Sequence, residues 1–379
     1  MWKKGASKNI IDAELASASA EDLHFSDGRI FASMCAQPLE VAVEAHVRFI
    51  EANLGNAGLY PGTQRLEKEV VRAIGGMLHH EGAGGSIVSG GTEANITALW
   101  IARNVTRRKK VVFPKSAHFS FHKACDILGL EPQMVGLDEK FTADLDEVKR
   151  VVDNDVCAIV GIAGTTELGA VDDIEGLGAL LPDGAFLHVD AAFGGFVLPF
   201  LDHGPPKFDF AVPEVSIITI DPHKMGMSTI PAGALMLRDE GQMRTIRKDA
   251  PYLDTVGQAA ALSGTRCSAA VASTYAAMRF LGEEGYVKLV KGCMDVTRYA
   301  LEKGTGIGLE PVMDPVMNIL CFYAPDVVRI QSEMEKQGWK VSVARNPESL
   351  RLVIMPYVTR DSVDGLFADL EEVLGGLDD

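Results

Sequence analysis

This sequence predicts an α/β fold with a mainly parallel central sheet in a large domain and a smaller α+β C-terminal domain, on two observations. Short, continuously apolar, β-branched runs alternate with helix-like stretches up to about Ile220; parallel strands covered on both faces need such runs, because neither side of them meets water. After Ser263 the pattern changes to long helical stretches followed by a mixture of short elements, which reads as a second, smaller unit packed on the first.

Taken in order, residues 1–52 form an N-terminal arm in which Val41, Val43, His46, Val47 and Ile50 mark one face of an amphipathic helix. Residues 53–280 form the large domain, with strands expected at 111–113, 134–137, 158–163, 186–189 and 215–220. Helical patterns at 268–281 and 286–301 lead into residues 281–379, the small domain, with short elements at 319–322, 334–339, 342–343 and 350–354 and a final helix over 362–374. No internal repeat or low-complexity tract interrupts this order.

A chain of 379 residues with 47% hydrophobic content can bury a substantial core. Its 36 basic residues against 52 acidic ones leave a net charge of −16, with no basic block to track a phosphate backbone, so nucleic acid is not an expected partner. No apolar run reaches the roughly 20 residues of a membrane span, and Asp12 and Glu14 interrupt the start before a secretory signal could form. Six scattered cysteines without a C-x-x-C pair read as reduced thiols of a cytoplasmic protein.

The chemistry-bearing residues fall at strand ends. The run Val215 to Ile220 leads into Asp221-Pro-His-Lys224, which puts a lysine where open α/β folds hold ligands. A partly desolvated amine there can act as a nucleophile, although a lysine at a strand end can equally snorkel to water. The run ending in His188-Val-Asp190-Ala-Ala192 offers a carboxylate that can face a ring nitrogen and keep it protonated, with small residues that let a flat ring pack closely. A helix cap is the other use of such an aspartate. Ser89-Gly-Gly91-Thr92 precedes a helical stretch, where glycine backbone and unpaired N–H groups suit a phosphate or form an ordinary capping turn. His118 follows another strand end and can stack on a ring or pack against its aromatic neighbours, while Thr165 and Thr166 can bond a ring hydroxyl or close a turn. Five such positions in one order point to one site.

These residues resemble the group II pyridoxal-phosphate-dependent amino-acid decarboxylases of fold type I (aspartate aminotransferase-like), and among them the archaeal L-tyrosine/L-aspartate decarboxylases. The matching text is Ser-Gly-Gly-Thr-Glu-Ala-Asn (89–95), Ala-His-Phe-Ser-Phe (117–121), Gly-Ile-Ala-Gly-Thr-Thr-Glu-Leu-Gly (161–169), His-Val-Asp-Ala-Ala-Phe-Gly-Gly (188–195) and Asp-Pro-His-Lys-Met-Gly (221–226), with weaker similarity over nearly the whole chain.

The resemblance implies pyridoxal 5'-phosphate as cofactor, held as a Schiff base on Lys224, with Asp190 on the pyridine nitrogen and His118 and Ala192 on the two ring faces. It implies phosphate contacts from Gly91, Thr92 and His223, a ring-hydroxyl contact from Thr165, and a homodimer in which Gly264 and Thr265 of the neighbouring subunit complete the site. Arg351 would hold the carboxylate of a small amino-acid substrate, and Tyr252 would return a proton to its α-carbon. The implied reactions are L-tyrosine to tyramine, as in methanofuran biosynthesis, and L-aspartate to β-alanine, as in coenzyme A biosynthesis. Sphingosine-phosphate lyases share the Gly-Gly-Thr-Glu and Asp-x-His-Lys features, so carbon–carbon cleavage is the alternative enzyme reading, and a non-enzymatic pyridoxal-phosphate-binding protein is the remaining one.

Overall fold

The structure is a computed structural model that describes residues 1–202, 204, 206–250, 258–259 and 261–376. The arm begins with α1 (Lys8–Ser19), which buries no residue, and continues into α2 (Glu40–Arg48). The face expected to pack is turned outward: Val43, Val47 and Ile50 are exposed, whereas Ala42 is buried and His46 Nδ1 meets Thr229 Oγ1 at 2.8 Å. The alanine side of α2 lies against the long helix α8 (Ser268–Gly306), since small residues permit the closer approach.

Proline at the first turn of α3 (Pro61–Met77) has its φ already set for a helix, and Thr63, Glu67, Val70, Val71 and Ile74 recur at helical spacing on its buried side. There follow β1 (Gly84–Val88), α4 (Gly91–Thr106), β2 (Lys110–Pro114), α5 (Ser120–Leu128), β3 (Glu131–Val135), α6 (Leu145–Val151), β4 (Val156–Ile162), α7 (Ile174–Ala179), β5 (Phe186–Asp190), β6 (Val215–Ile220) and β7 (Gly233–Leu237). They build one seven-stranded sheet in the order β1-β7-β6-β5-β4-β2-β3. β7 runs antiparallel to both of its neighbours, and all the other pairs are parallel.

Every residue of β4, β5 and β7 is buried, the consequence of covering both faces. Ile159, Val189 and Ile218 enter the core on one face, and Ala158, Val160 and Ile217 that on the other, as two-residue alternation dictates. β2, β4, β5 and β6 all end at one edge of the sheet. β1 ends there too, because Val88 pairs with Gly233 at the start of β7.

Beyond the antiparallel pair β8 (Lys248–Asp249) and β9 (Gln258–Ala259), the two expected helices follow end to end as α8 (Ser268–Gly306), broken at Gly282, whose φ 57° and ψ −175° are not helical. The second sheet, in the order β10-β11-β13-β12, is antiparallel and consists of β10 (Glu310–Pro311), β11 (Ile319–Tyr323), β12 (Ser342–Arg345) and β13 (Glu348–Val353). It packs with α9 (Val327–Lys336) and α10 (Arg360–Gly375) around Phe322, Ile330, Leu352 and Phe367. The short element expected at 334–339 straddles the end of α9 and a turn at Gly338, where φ is +85°. The segment before α2 ties the arm to both units: Phe31 exchanges backbone bonds with Lys340 and Val353, and Ala36 N reaches His223 O.

Candidate active site

At the shared strand edge a cavity of about 350 Å³ opens, lined by Gly90, Gly91 and Thr92 after β1, His118 after β2, Thr166 after β4, Asp190 and Ala192 after β5, and Asp221, His223 and Lys224 after β6. Ligands bind at this edge in open α/β sheets because adjoining loops diverge there and leave a crevice.

The turn after β6 sets the lysine. Lys224 N bonds Asp221 O at 3.0 Å, folding the side chain back so that Nζ lies 3.1 Å from Asp221 Oδ2. Asp221 is buried, and its Oδ1 has no partner among the described residues. His223 Nδ1 donates to the Ala232 carbonyl. Burial would push the His223 imidazole down, but Cys35, the Asp221 carboxylate and that carbonyl outweigh it and hold its pKa above the ordinary value.

Asp190 is the last residue of β5, and both of its carboxylate oxygens accept hydrogen bonds. Oδ1 accepts from Ala192 N at 3.0 Å, a local cap, while Oδ2 accepts from Asn95 Nδ2 at 2.9 Å on the cavity side of α4.

At the start of α4, Gly90 has φ +158° and ψ 177°, a region only glycine adopts readily, and no side chain caps the helix. The buried Glu93 carboxylate instead accepts from Ser89 N and Oγ at 2.8 and 2.7 Å and from Ser263 Oγ at 3.3 Å. A Cβ added at Gly91 would lie 3.1 Å from Asp221 Oδ2 and 3.4 Å from Ala192 Cβ. The bare backbone there leaves a concave anion cradle at the positive end of a helix.

His118 Nδ1 meets Ser120 Oγ at 3.0 Å. Burial lowers its pKa; Asp190 and Asp221 oppose the shift, and Lys224 and Lys123 add to it.

Other expected residues lie elsewhere. Thr165 is buried, and its Oγ1 accepts from Ala170 N at 3.0 Å to close its own turn; Thr166, not Thr165, lines the cavity. Gly264 lines a separate cavity of about 560 Å³ between α3 and the turn at 261–266, where Arg266 pairs with Glu67, and Thr265 lines neither. Arg351, on β13, is 6% exposed; Nη1 donates to Ser342 Oγ at 3.0 Å and weakly to Ala32 O, while Nε and Nη2 have no partner among the described residues. It is not among the residues lining the cavity, whereas Met34, two positions after Ala32, is. Tyr252 lies outside the described residues.

Sequence reasoning passed over Asn95, Ser120, His188 and Asp221. His188 shares a strand face with Asp190 by two-residue alternation, and Asn95 lies one helical turn past Gly91; both spacings were available signals.

The pattern "Pyridoxal-dependent decarboxylase conserved domain" matches residues 39–324. The chain belongs to the pyridoxal-dependent decarboxylase family. It is thus a carboxy-lyase whose cofactor is pyridoxal phosphate, and the cradle at Gly90–Thr92, the carboxylate of Asp190 and the amine of Lys224 fit that cofactor's phosphate, ring nitrogen and aldehyde. Within the family, the chain is 46% identical to the "Probable L-aspartate decarboxylase" of Archaeoglobus fulgidus, over 95% of this chain and 98% of that protein. It is 43% identical to the "Probable L-tyrosine/L-aspartate decarboxylase" of Methanocella arvoryzae, over 99% of this chain and all of that one. Among solved structures it resembles the sphingosine-1-phosphate lyase of Burkholderia pseudomallei, with a TM-score of 0.91 and 27% identity over 99% of this chain and 92% of that one. The glutamate decarboxylase of Lactobacillus brevis, with a TM-score of 0.88 and 22% identity over all of this chain and 95% of that one, shares the fold.

Proposed function

We propose that this decarboxylase acts on L-tyrosine, with L-aspartate as second substrate, and that Lys224 is the amine that carries the cofactor. The observation that carries the reading is that an amine, a carboxylate and an uncapped helix start converge on one cavity of about 350 Å³. Bound pyridoxal phosphate supplies an aldehyde that takes up amines and a protonated ring that stores the electron pair left when carbon dioxide departs.

The chain's own residues then have separable tasks. Gly91, Thr92 and His223 bind phosphate, through backbone N–H groups at a helix start and a nearby imidazole whose pKa is raised. Asp190 holds the ring nitrogen protonated, and His118 and Ala192 confine the ring from either side. Asp221 holds the Lys224 ammonium whenever that amine is free. Arg351 takes the substrate carboxylate through Nε and Nη2, the two donors without a partner among the described residues; reaching it requires movement of the segment carrying Ala32 and Met34. Gly264 and Thr265 of a second copy complete the phosphate site, making the enzyme a homodimer, and Tyr252 returns the proton to the α-carbon. Residues 1–52, 53–280 and 281–379 act as arm, cofactor domain and small domain of a cytoplasmic enzyme.

The preference for tyrosine rests on Met34, Phe119 and Phe193 in the cavity lining, against no cationic group there, among the described residues, besides Lys224 and the imidazole of His223, whose pKa is raised. An aromatic side chain gains from such contacts, whereas a second carboxylate needs a charge partner. The names of the archaeal relatives support both substrates; a place in methanofuran or coenzyme A biosynthesis is part of our proposal and goes beyond those names.

Borohydride reduction of the loaded protein followed by peptide mass spectrometry tests the lysine, and a pyridoxyl adduct on any residue other than Lys224 defeats the assignment. Assaying carbon dioxide and amine release across a panel of L-amino acids, with a phosphorylated sphingoid base included, tests the substrate. Tyramine formation fastest of all supports the reading; aldehyde release from the sphingoid base without carbon dioxide would put the chain with the lyase it resembles.

A further inference from the structure

From Asn95 in the cavity wall a buried polar cluster extends inward. Asn95, Ser120, His188 and Thr219 are each no more than 1% exposed. Asn95 Nδ2 donates to Asp190 Oδ2 at 2.9 Å and to Ser120 Oγ at 3.0 Å, and Asn95 Oδ1 meets His188 Nε2 at 2.9 Å.

Chemistry fixes the direction of the bonds that join Asp190, Asn95, His188, Ser120 and His118. A carboxylate only accepts, so the NH2 edge of Asn95 faces Asp190 and its carbonyl faces His188. That carbonyl also only accepts, so the His188 proton sits on Nε2. Burial pushes the His188 pKa down to about 4, which keeps the ring neutral, and its Nδ1 has no hydrogen-bond partner among the described residues. Ser120 Oγ, already accepting from Asn95, has its own proton to give, and His118 Nδ1 is the acceptor at 3.0 Å. The Ser120 backbone N–H points at the same nitrogen from 3.4 Å. Two donors converge on His118 Nδ1, so the proton of a neutral His118 belongs on Nε2.

We propose that Asn95 is a positioning residue that ties together the two side chains flanking the cofactor ring: one amide orients the Asp190 carboxylate and, through Ser120, holds His118 as the neutral Nε2–H tautomer. The proposal rests on the reading that Asp190 and His118 contact that ring. Its value to the reaction is electrostatic. A cationic imidazolium against the ring would disfavour the protonated ring nitrogen, so keeping His118 neutral leaves the positive charge where it draws electrons from the substrate. His188 acts at one remove, since without its N–H the Asn95 amide has nothing to hold its carbonyl end.

The test uses the full chain, cofactor-loaded and cofactor-free, labelled with nitrogen-15 histidine. Long-range proton–nitrogen spectra at neutral pH are expected to show wild-type His118 protonated on Nε2, with Nδ1 as a hydrogen-bonded acceptor. Ser120→Ala shifts the Nδ1 resonance and leaves the affinity for pyridoxal phosphate within about threefold. Asn95→Leu shifts that resonance and also weakens cofactor binding by about tenfold or more, the scale of one lost bond to a charged group. His188→Leu reproduces part of the Asn95 effect, and His188→Gln, which keeps an N–H donor, restores it; a merely space-filling role for His188 would not distinguish the two. An unchanged His118 signal in both Ser120→Ala and His188→Leu overturns the proposal, even where Asn95→Leu fails to fold. Asp190→Ala separates this from the site assignment: undiminished cofactor binding there defeats the assignment of Asp190 to the ring, while the histidine spectra still judge the relay.

Discussion

Lys224 Nζ lies 3.1 Å from Asp221 Oδ2, and Asp221 is buried with its second oxygen unbonded among the described residues. The pair is therefore asymmetric: the lysine has 20% of its side chain in solvent, while the aspartate has 3% and depends on the lysine. Lys224→Ala should keep the fold and lose turnover, but it leaves the buried Asp221 carboxylate with the His223 imidazole, 4.0 Å away, as its remaining charge partner among the described residues, which costs up to about 3 kcal/mol in the cofactor-free protein. Adding Asp221→Asn should recover most of that loss. Urea denaturation of the wild type, the single variant and the double variant checks this, and equal stability of single and double variants would refute it.

Gly90→Ala places a side chain at φ +158°, where the conformational cost is about 1–3 kcal/mol. Relief of that strain reorients the first N–H groups of α4. Affinity for pyridoxal phosphate, followed by fluorescence titration, should fall by about tenfold, with less effect on thermal stability because the turn lies at the sheet edge.

His188 makes stability depend on pH in a defined direction. Burial lowers its folded pKa to about 4 against 6.5 in the unfolded chain, so the unfolded state takes up the proton first as pH falls. Stability is fully present above about pH 6.5 and declines from there towards pH 4. Between pH 7.5 and 5 the loss is about 2 kcal/mol. His188→Gln should lack this component; urea midpoints at the two pH values, compared with wild type, isolate it from the other titrating groups.

Phe119 is 59% exposed at the cavity wall, its ring 4.1 Å from that of His118 between centroids. Phe119→Ala should raise KM for tyrosine by roughly fivefold to tenfold, the scale of one lost aromatic contact, and leave KM for aspartate within about twofold. Equal effects on both substrates would remove Phe119 from substrate selection.

The parallel sheet, the family, the cofactor and the decarboxylase activity could all be read from residue patterns, because continuous apolar runs and the strand-end motifs around Gly91, Asp190 and Lys224 are local features. What escaped depends on rotation about a bond or on distant packing. Whether Thr165 or Thr166 faces the cavity is decided by the turn that Ala170 N closes on Thr165 Oγ1. The outward face of α2 is decided by α8, more than 200 positions away in sequence, which takes the alanine side. Asn95 stood inside a quoted motif, but only the closeness of α4 to the end of β5 shows that its amide meets Asp190. Tyr252 lies outside the described residues, and the reach of Arg351 depends on how the small sheet sits against the segment at 32–34.

β1 lies at the rim of the large sheet and, among the described strands, pairs only with β7, whose residues come some 150 positions later in the chain. As the polypeptide emerges from a ribosome, the Gly-Gly turn that follows β1 stays without a sheet neighbour until Leu237 has been made, after the lysine itself. Closing so long a loop is entropically slow, which makes docking of that rim strand a late event in folding, and a nascent chain stalled before β7 would have every strand-end group of the cavity in its sequence without a framework to hold the first of them.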